Sequence, residues 1–199
     1  MTSSVGMPAI ATLTINPALD ITTETTAVVA TEKMRCDAAR YDPGGGGINV
    51  ARVAHVLGAA VTAVFPVGGA AGAMMAELMI HAAVPFDSVP ICQPTRESFT
   101  VNERRTGQQY RFVLPGPTMT FGEQAKCLDA IRKAAASARY LVASGSLPPG
   151  VAPNYYQQVA DVSRRQGAQF VLDTSGEDSP TFAQMCSYSR PASENSVSA

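Results

Sequence analysis

Apolar positions recur along the chain with two periods, and the period switches repeatedly between residues 9 and 173. Ala9 to Ile15 is a short apolar and β-branched run that the Asn16-Pro17 pair ends, the signature of a buried strand. Val50, Val53, Ala54 and Leu57 then fall on one face of a helix that Gly58 stops. Val61 to Val67 reads as a second buried strand, and Ala71, Met74, Met75, Leu78 and Met79 as a second helical stripe of core filler. Val84 to Pro90 is extended, because Pro85 and Pro90 exclude a helix. Leu128, Ile131 and Ala135 mark a third helix, and Tyr140 to Ala143 a strand. Tyr155, Tyr156, Val159 and Ala160 mark a fourth helix, and Gln169 to Asp173 a last strand. Alternation of this kind predicts an α/β fold, a parallel sheet with helices on its faces.

Two stretches break the alternation. Residues 22–42 are rich in Thr and Val with scattered charge and read as exposed strands. Within 89–114, Ser98 to Glu103 and Gln108 to Leu114 flank Arg104-Arg105-Thr106-Gly107, a hairpin signal with Gly in the turn. Together they predict a small sheet that covers the main domain. After Gly176 the pattern fades: Glu177 to Ala199 holds six Ser and two Pro with little apolar periodicity, the character of a disordered tail.

Composition narrows the function classes. The chain of 199 residues is 46% hydrophobic with a net charge of -1, which excludes wholesale disorder and any broad attraction to nucleic acid or an anionic membrane. Met1 to Pro8 lacks the basic and apolar regions of a signal peptide, and no apolar run reaches membrane-spanning length. Cys36, Cys92, Cys127 and Cys186 match no zinc or redox spacing and read as free thiols in a reducing cytoplasm, the expected location.

The sharpest local chemistry is the run Gly44-Gly45-Gly46-Gly47 before a helix whose first turn carries Asn49. Such a turn either is a plain bend or offers free N–H groups to a polar or anionic ligand, and Asn49 adds a donor and an acceptor suited to hydroxyls. The run fits neither G-x-x-x-x-G-K-[ST] nor G-x-G-x-x-G. His55 and His81 lie inside helical patterns and read as ordinary helix residues. Asp20 follows a strand and a turn, where it serves either as a turn cap or as a ligand for two sugar hydroxyls. Lys33, Arg35, Arg96, Arg104, Arg105 and Arg111 concentrate in the two polar stretches of a chain with 15 Lys plus Arg. That enrichment suggests an anion clamp, with a solvated strand face as the other reading, stronger for Arg104 and Arg105 at the turn. Ser144 to Gly150, S-G-S-L-P-P-G, is a rigid loop after a strand, either a substrate wall or a structural turn.

Five segments in this order resemble the PfkB, or ribokinase-like, carbohydrate kinase family: Asn16 to Asp20, Gly44 to Arg52, Gln109 to Gly116, Ser144 to Gly150 and Asp173 to Glu177. Within it they look most like the branch containing the minor-type 6-phosphofructokinase, with 1-phosphofructokinase and tagatose-6-phosphate kinase nearby. The resemblance implies a Rossmann-type sheet with a β-sheet lid, and ATP and Mg²⁺ as cofactors. It implies a sugar-phosphate substrate such as fructose 6-phosphate. Asp20, Asn49 and the glycines Gly45 and Gly46 would hold sugar hydroxyls, Lys33, Arg96 and Arg111 the substrate's phosphate, and Ser146 would line the sugar site. The lid often forms a homodimer contact in such enzymes. The family's base is the Asp of a G-A-G-D motif, and its nucleotide-binding half follows the segments matched here. Residues 1–177 therefore read as the N-terminal part of such a kinase, without the catalytic Asp and expected to be inactive alone. Residues 178–199 read as a divergent tail, either disordered or translated in a shifted frame. A non-catalytic sugar-phosphate-binding module and an unstable fragment are the alternatives.

Overall fold

Short apolar runs flanked by Gly and Pro become the strands of two sheets in the computed structural model, which describes residues 9–174. The first sheet is β1 (Ile10–Leu13), β4 (Val61–Val67), β5 (Phe86–Pro90), β8 (Tyr140–Ser144) and β9 (Gln169–Asp173) in the order β5-β4-β1-β8-β9. Every pairing in it is parallel. The second is β2 (Ala18–Thr25), β3 (Arg40–Gly44), β6 (Arg96–Glu103) and β7 (Gln109–Val113) in the order β3-β2-β6-β7. There β2 and β6 pair in parallel, while the outer strands are antiparallel to them.

Helices α1 (Gly46–Val56), α2 (Gly69–His81), α3 (Phe121–Ala135) and α4 (Tyr155–Gln166) supply the crossovers. Alternation along β4 divides the core. Val64 joins Leu13, Ile131, Leu141, Tyr155 and Tyr156 on the α3/α4 side. Ala63 and Phe65 join Ile48, Ala51, Met75 and Met79 on the α1/α2 side. Cys127 lies in the first cluster, where burial pushes its thiol up to about 12, an inert core residue. Cys36 and Cys92 are free thiols as well. Thr120 begins α3 with a reciprocal capping box to Glu123. No helix among the described residues is long and apolar enough to cross a membrane.

Two expectations need correction. Of the stripe Val50, Val53, Ala54, Leu57 only Ala54 is buried: Val53 is 60% exposed and Leu57 69%. The helix instead buries Gly47, Ile48, Ala51 and Ala54. A side chain on Gly47 would meet the Leu13 carbonyl oxygen at 2.6 Å. The backbone of α1 lies so close to the sheet that small residues occupy the contact and larger ones turn outward. Residues 22–42 are also not continuous strand. β2 starts earlier, at Ala18, and 26–39 is a loop pinned to the sheet margin. Asp37 N–H donates to the Glu24 carbonyl at 2.9 Å, and the Thr25 hydroxyl donates to the Arg35 carbonyl at 3.1 Å. Both edges of β2 are already paired with β3 and β6, so β-branched residues in 26–39 find no ladder to join. The readings of Met1 to Pro8, Cys186 and 178–199 lie outside the described residues.

Candidate functional site

The second sheet stands over the N-terminus of α1 and leaves a cleft of about 730 Å³ between them. Cross-strand neighbours share a face, so register decides what lines it. Asp20 on β2 lies opposite Asp42 on β3 and Ser98 on β6, and Thr100 lies opposite Arg111 on β7. All five line the cleft, with Gly45, Gly46 and Asn49 on the α1 side.

Asp20 is half-buried. Burial and the neighbouring Asp42 raise its pKa above the ordinary carboxylate value, against the opposing charges of Arg111 and Arg96. The chain passes close on its α1 side: a side chain on Gly44 would meet the Asp20 carboxylate at 2.3 Å. Arg96 opens β6 and makes three hydrogen bonds to backbone. Its Nη2 donates to the Asn16 carbonyl at 3.0 Å, its Nη1 to Leu114 at 3.1 Å and its Nε to Pro17 at 3.4 Å. A guanidinium has five N–H donors, so the remainder stay available to an anion in the cleft. Burial pulls its pKa below the usual guanidinium value, which Asp20 partly offsets. Arg111 projects into the same cleft and acts on Asp20 through its charge.

The structure thus brings together Asp20, Gly45, Gly46, Asn49, Arg96 and Arg111, and places Lys33 and Ser146 outside the cleft lining. Lys33 is exposed on the 26–39 loop. The Ser146 hydroxyl accepts a hydrogen bond from Asn16 Nδ2 at 3.2 Å, which ties the S-G-S-L-P-P-G loop to the β1–β2 turn. Arg104 pairs with Asp37 and with Glu24, and Arg105 with Glu103, so these two stitch the lid rather than face the cleft. His55 and His81 sit in the last turns of α1 and α2.

Sequence reasoning missed Thr22, Arg40, Asp42, Ser98, Thr100, Asn102 and Gln109, which belong to the polar lining. Their signal was the shared alternation of 18/20/22 and 40/42/44, which is visible only once the pairing is known. It also missed the link between Ser144 and Asp173 at the ends of β8 and β9, where the serine hydroxyl donates to the carboxylate at 2.9 Å. Gly46 rests against that serine. Among the described residues no three His, Cys, Asp or Glu side chains group closely enough to hold a metal ion.

The cleft thus sets a carboxylate and two guanidinium groups of the four-stranded lid across from the glycine run and Asn49 of α1. The model of the pfkB family of carbohydrate kinases matches residues 13–193, and the chain belongs to that family. Its fold is the ribokinase-like parallel sheet flanked by helices. A curated relative, ATP-dependent 6-phosphofructokinase isozyme 2 of Mycobacterium tuberculosis, is 64% identical over 171 residues, which are 86% of this chain and 50% of that protein. Phosphofructokinase-2 from Escherichia coli in complex with fructose-6-phosphate superposes with a TM-score of 0.78 at 38% identity, covering 86% of this chain and 56% of that one. The tetrameric inhibited form of the same enzyme gives 0.80 at 40% identity, with 86% and 56% covered. The chain spans about half the length of the curated relatives it matches.

Proposed function

We propose that this chain binds the phosphoryl acceptor of an ATP-dependent 6-phosphofructokinase reaction, with fructose 6-phosphate as the sugar phosphate. The observation that carries this reading is the convergence of Asp20, Asn49, Arg96 and Arg111 on one cleft. Asp20, ionised, accepts two sugar hydroxyls, and Asn49 adds a donor and an acceptor. Arg111 and the uncommitted N–H groups of Arg96 grip the ester phosphate and at the same time hold Asp20 toward its charged form. Holding the acceptor in this way supplies positioning, a large part of the catalysis in phosphoryl transfer. In the proposed reaction ATP supplies the transferred phosphoryl group and leaves as ADP, and Mg²⁺ would neutralise phosphate charge. Lys33 and Ser146 keep a proposed part in binding, which Lys33→Ala and Ser146→Ala test separately.

We also propose a homodimer through the lid. Tyr41, Ile21, Phe99 and Phe112 are consecutive cross-strand neighbours on one face of the second sheet. Phe99 is 37% exposed and Phe112 57%, a row of apolar side chains suited to a second lid.

Titration calorimetry of the purified chain with fructose 6-phosphate tests the first reading. Binding of fructose 6-phosphate well above that of unphosphorylated fructose, lost in Asp20→Ala and Arg111→Ala, is expected. Equal binding of fructose, or full binding by Arg111→Ala, overturns it. Turnover with ATP and Mg²⁺, measured on this chain and on one extended to the length of its relatives, shows how far binding and transfer share these residues.

A further inference from the structure

We propose that Thr14 is a positioning residue of the sugar-phosphate site, a helix cap supplied from the sheet that keeps the glycine run clear for the ligand. The proposal rests on the reading of the cleft given above and adds a residue to it.

A helix leaves its first N–H groups without intrahelical partners, and the usual remedy is a Ser, Thr, Asp or Asn at the N-cap whose side chain accepts from the second or third helical amide. Helix α3 does this with Thr120. Helix α1 has Gly45 at the N-cap and no side-chain cap. Its third amide, that of Ile48, donates instead to the Thr14 hydroxyl at 2.9 Å. Thr14 follows β1 directly, is 1% exposed, and has its own N–H bonded to the Val64 carbonyl at 3.0 Å. The cap is therefore fixed to the central sheet and not to the turn it stabilises.

This arrangement has a consequence for the ligand face. Gly45 has φ of 128°, and a side chain there would meet the Thr14 methyl at 2.4 Å. A conventional capping residue at 45 is excluded on both counts, so backbone alone faces the cleft at Gly45 and Gly46. One turn on, Asn49 N–H bonds the Gly45 carbonyl at 2.9 Å, which sets the side chain that reads hydroxyls. Thr14 thus acts on the sugar through the glycine run and Asn49, without lining the cleft itself.

Three variants separate this role from plain stability. Thr14→Val keeps the shape and removes the acceptor, Thr14→Ser keeps the acceptor, and Val159→Ala removes remote core volume as a destabilised control. Two readouts are taken: amide exchange at residues 45–49 in the ligand-free chain, and Kd for fructose 6-phosphate. In Thr14→Val the Ile48 amide should exchange at least roughly tenfold faster and Kd should rise roughly tenfold or more, the effect of one lost buried hydrogen bond. Thr14→Ser should restore both to within about threefold, and Val159→Ala should leave Kd within about twofold. Native affinity in Thr14→Val, failure of Thr14→Ser to rescue, or an equal loss in Val159→Ala overturns the proposal. If the native chain does not bind fructose 6-phosphate, the proposed function fails. The exchange readout then decides the cap alone: an unchanged Ile48 amide in Thr14→Val refutes it. If Thr14→Val does not fold, Thr14→Ala against Thr14→Ser gives the same comparison.

Discussion

Arg96 and Arg111 face the same cleft, yet the structure assigns them different consequences on removal. Arg96 holds the carbonyls of Asn16, Pro17 and Leu114, at 3.0, 3.4 and 3.1 Å. Hydrogen bonds from a charged donor contribute about 1.5–3 kcal/mol each when shielded from water. The bond to Leu114 is exposed and that to Pro17 is long, so the Asn16 bond carries most of the effect. Arg96→Ala should therefore cost roughly 2–3 kcal/mol, or a fall in Tm of roughly 5–10 °C for a chain of this size. Arg111 makes no such bonds to described residues, and Arg111→Ala should stay within about 0.5 kcal/mol of the native chain, as surface changes do. Both variants should weaken fructose 6-phosphate binding by roughly 10- to 100-fold, the loss of one charge-assisted contact. Arg96→Lys restores the charge but cannot span three carbonyls with one ammonium, so it should recover little of the Tm. Calorimetry in parallel with binding titration reads all of this. A native Tm in Arg96→Ala, or an equal Tm loss in Arg111→Ala, refutes the distinction.

Other perturbations read other parts of the site. Because the folded state raises the Asp20 pKa, Asp20 favours folding while protonated, and that contribution is lost as pH rises through the raised value. Asp20→Asn should thus raise Tm at neutral pH while weakening sugar binding, and a lower Tm there would contradict the burial argument. Glu103 behaves oppositely: burial would raise its pKa, but bonds from Thr106, Tyr110 and the Val28 backbone, with the Arg105 charge, set it below the usual value. Its contribution is present above the ordinary glutamate pKa and lost as pH falls through the lowered one, so the Tm deficit of Glu103→Gln should vanish in acid. Gly46→Ala places a methyl 1.9 Å from the Ser144 hydroxyl and should destabilise by roughly 1–3 kcal/mol, part of which Ser144→Ala recovers in the double variant. Phe99→Asp should yield a monomer by light scattering if the lid forms the dimer, and an unchanged mass would place the contact elsewhere.

Periodicity located β1, β4, β8, β9 and helices α2, α3 and α4, because each buries one face and strand and helix patterns differ in period. It located α1 too but misread its buried face, for a reason specific to that helix. Glycine and alanine carry no strong apolar signal, yet they occupy the closest helix–sheet contact in the chain's first crossover. Asp20, Asn49 and the glycines were legible as chemistry, since few residue types serve hydroxyls and close backbone approach. Lys33 stood out with the charge enrichment of the polar stretches and Ser146 within a rigid loop, but their particular roles in binding entered through resemblance. Ser98 and Thr100 were invisible because β2 and β6 are joined through β3, α1, β4, α2 and β5, and no local pattern encodes such a register; Asp42 was hidden because the 26–39 loop obscures the β2–β3 pairing.

That long-range pairing also gathers the connections of the second sheet on one side of the cleft. The second sheet leads into the rest of the domain at four crossings, 14–17 from β1, Gly45 into α1, 91–95 from β5 and 114–120 into α3. Arg96 stands at the end of the third and bonds carbonyls in the first and at the start of the fourth. Gly45 is the whole of the second, and Thr14 in the first caps the helix that follows it. One guanidinium thus joins the first, third and fourth crossings, and one hydroxyl joins the first to the helix that follows the second. In the proposed reading, an anion that draws on Arg96 acts on the same group that joins these crossings, which ties occupancy of the cleft to their stiffness. Amide exchange across 14–17 and 114–120 should slow when fructose 6-phosphate binds the native chain, and should be fast and ligand-insensitive in Arg96→Ala. Exchange that slows equally in that variant would show that the ligand closes the lid through Arg111 and Asp20 alone.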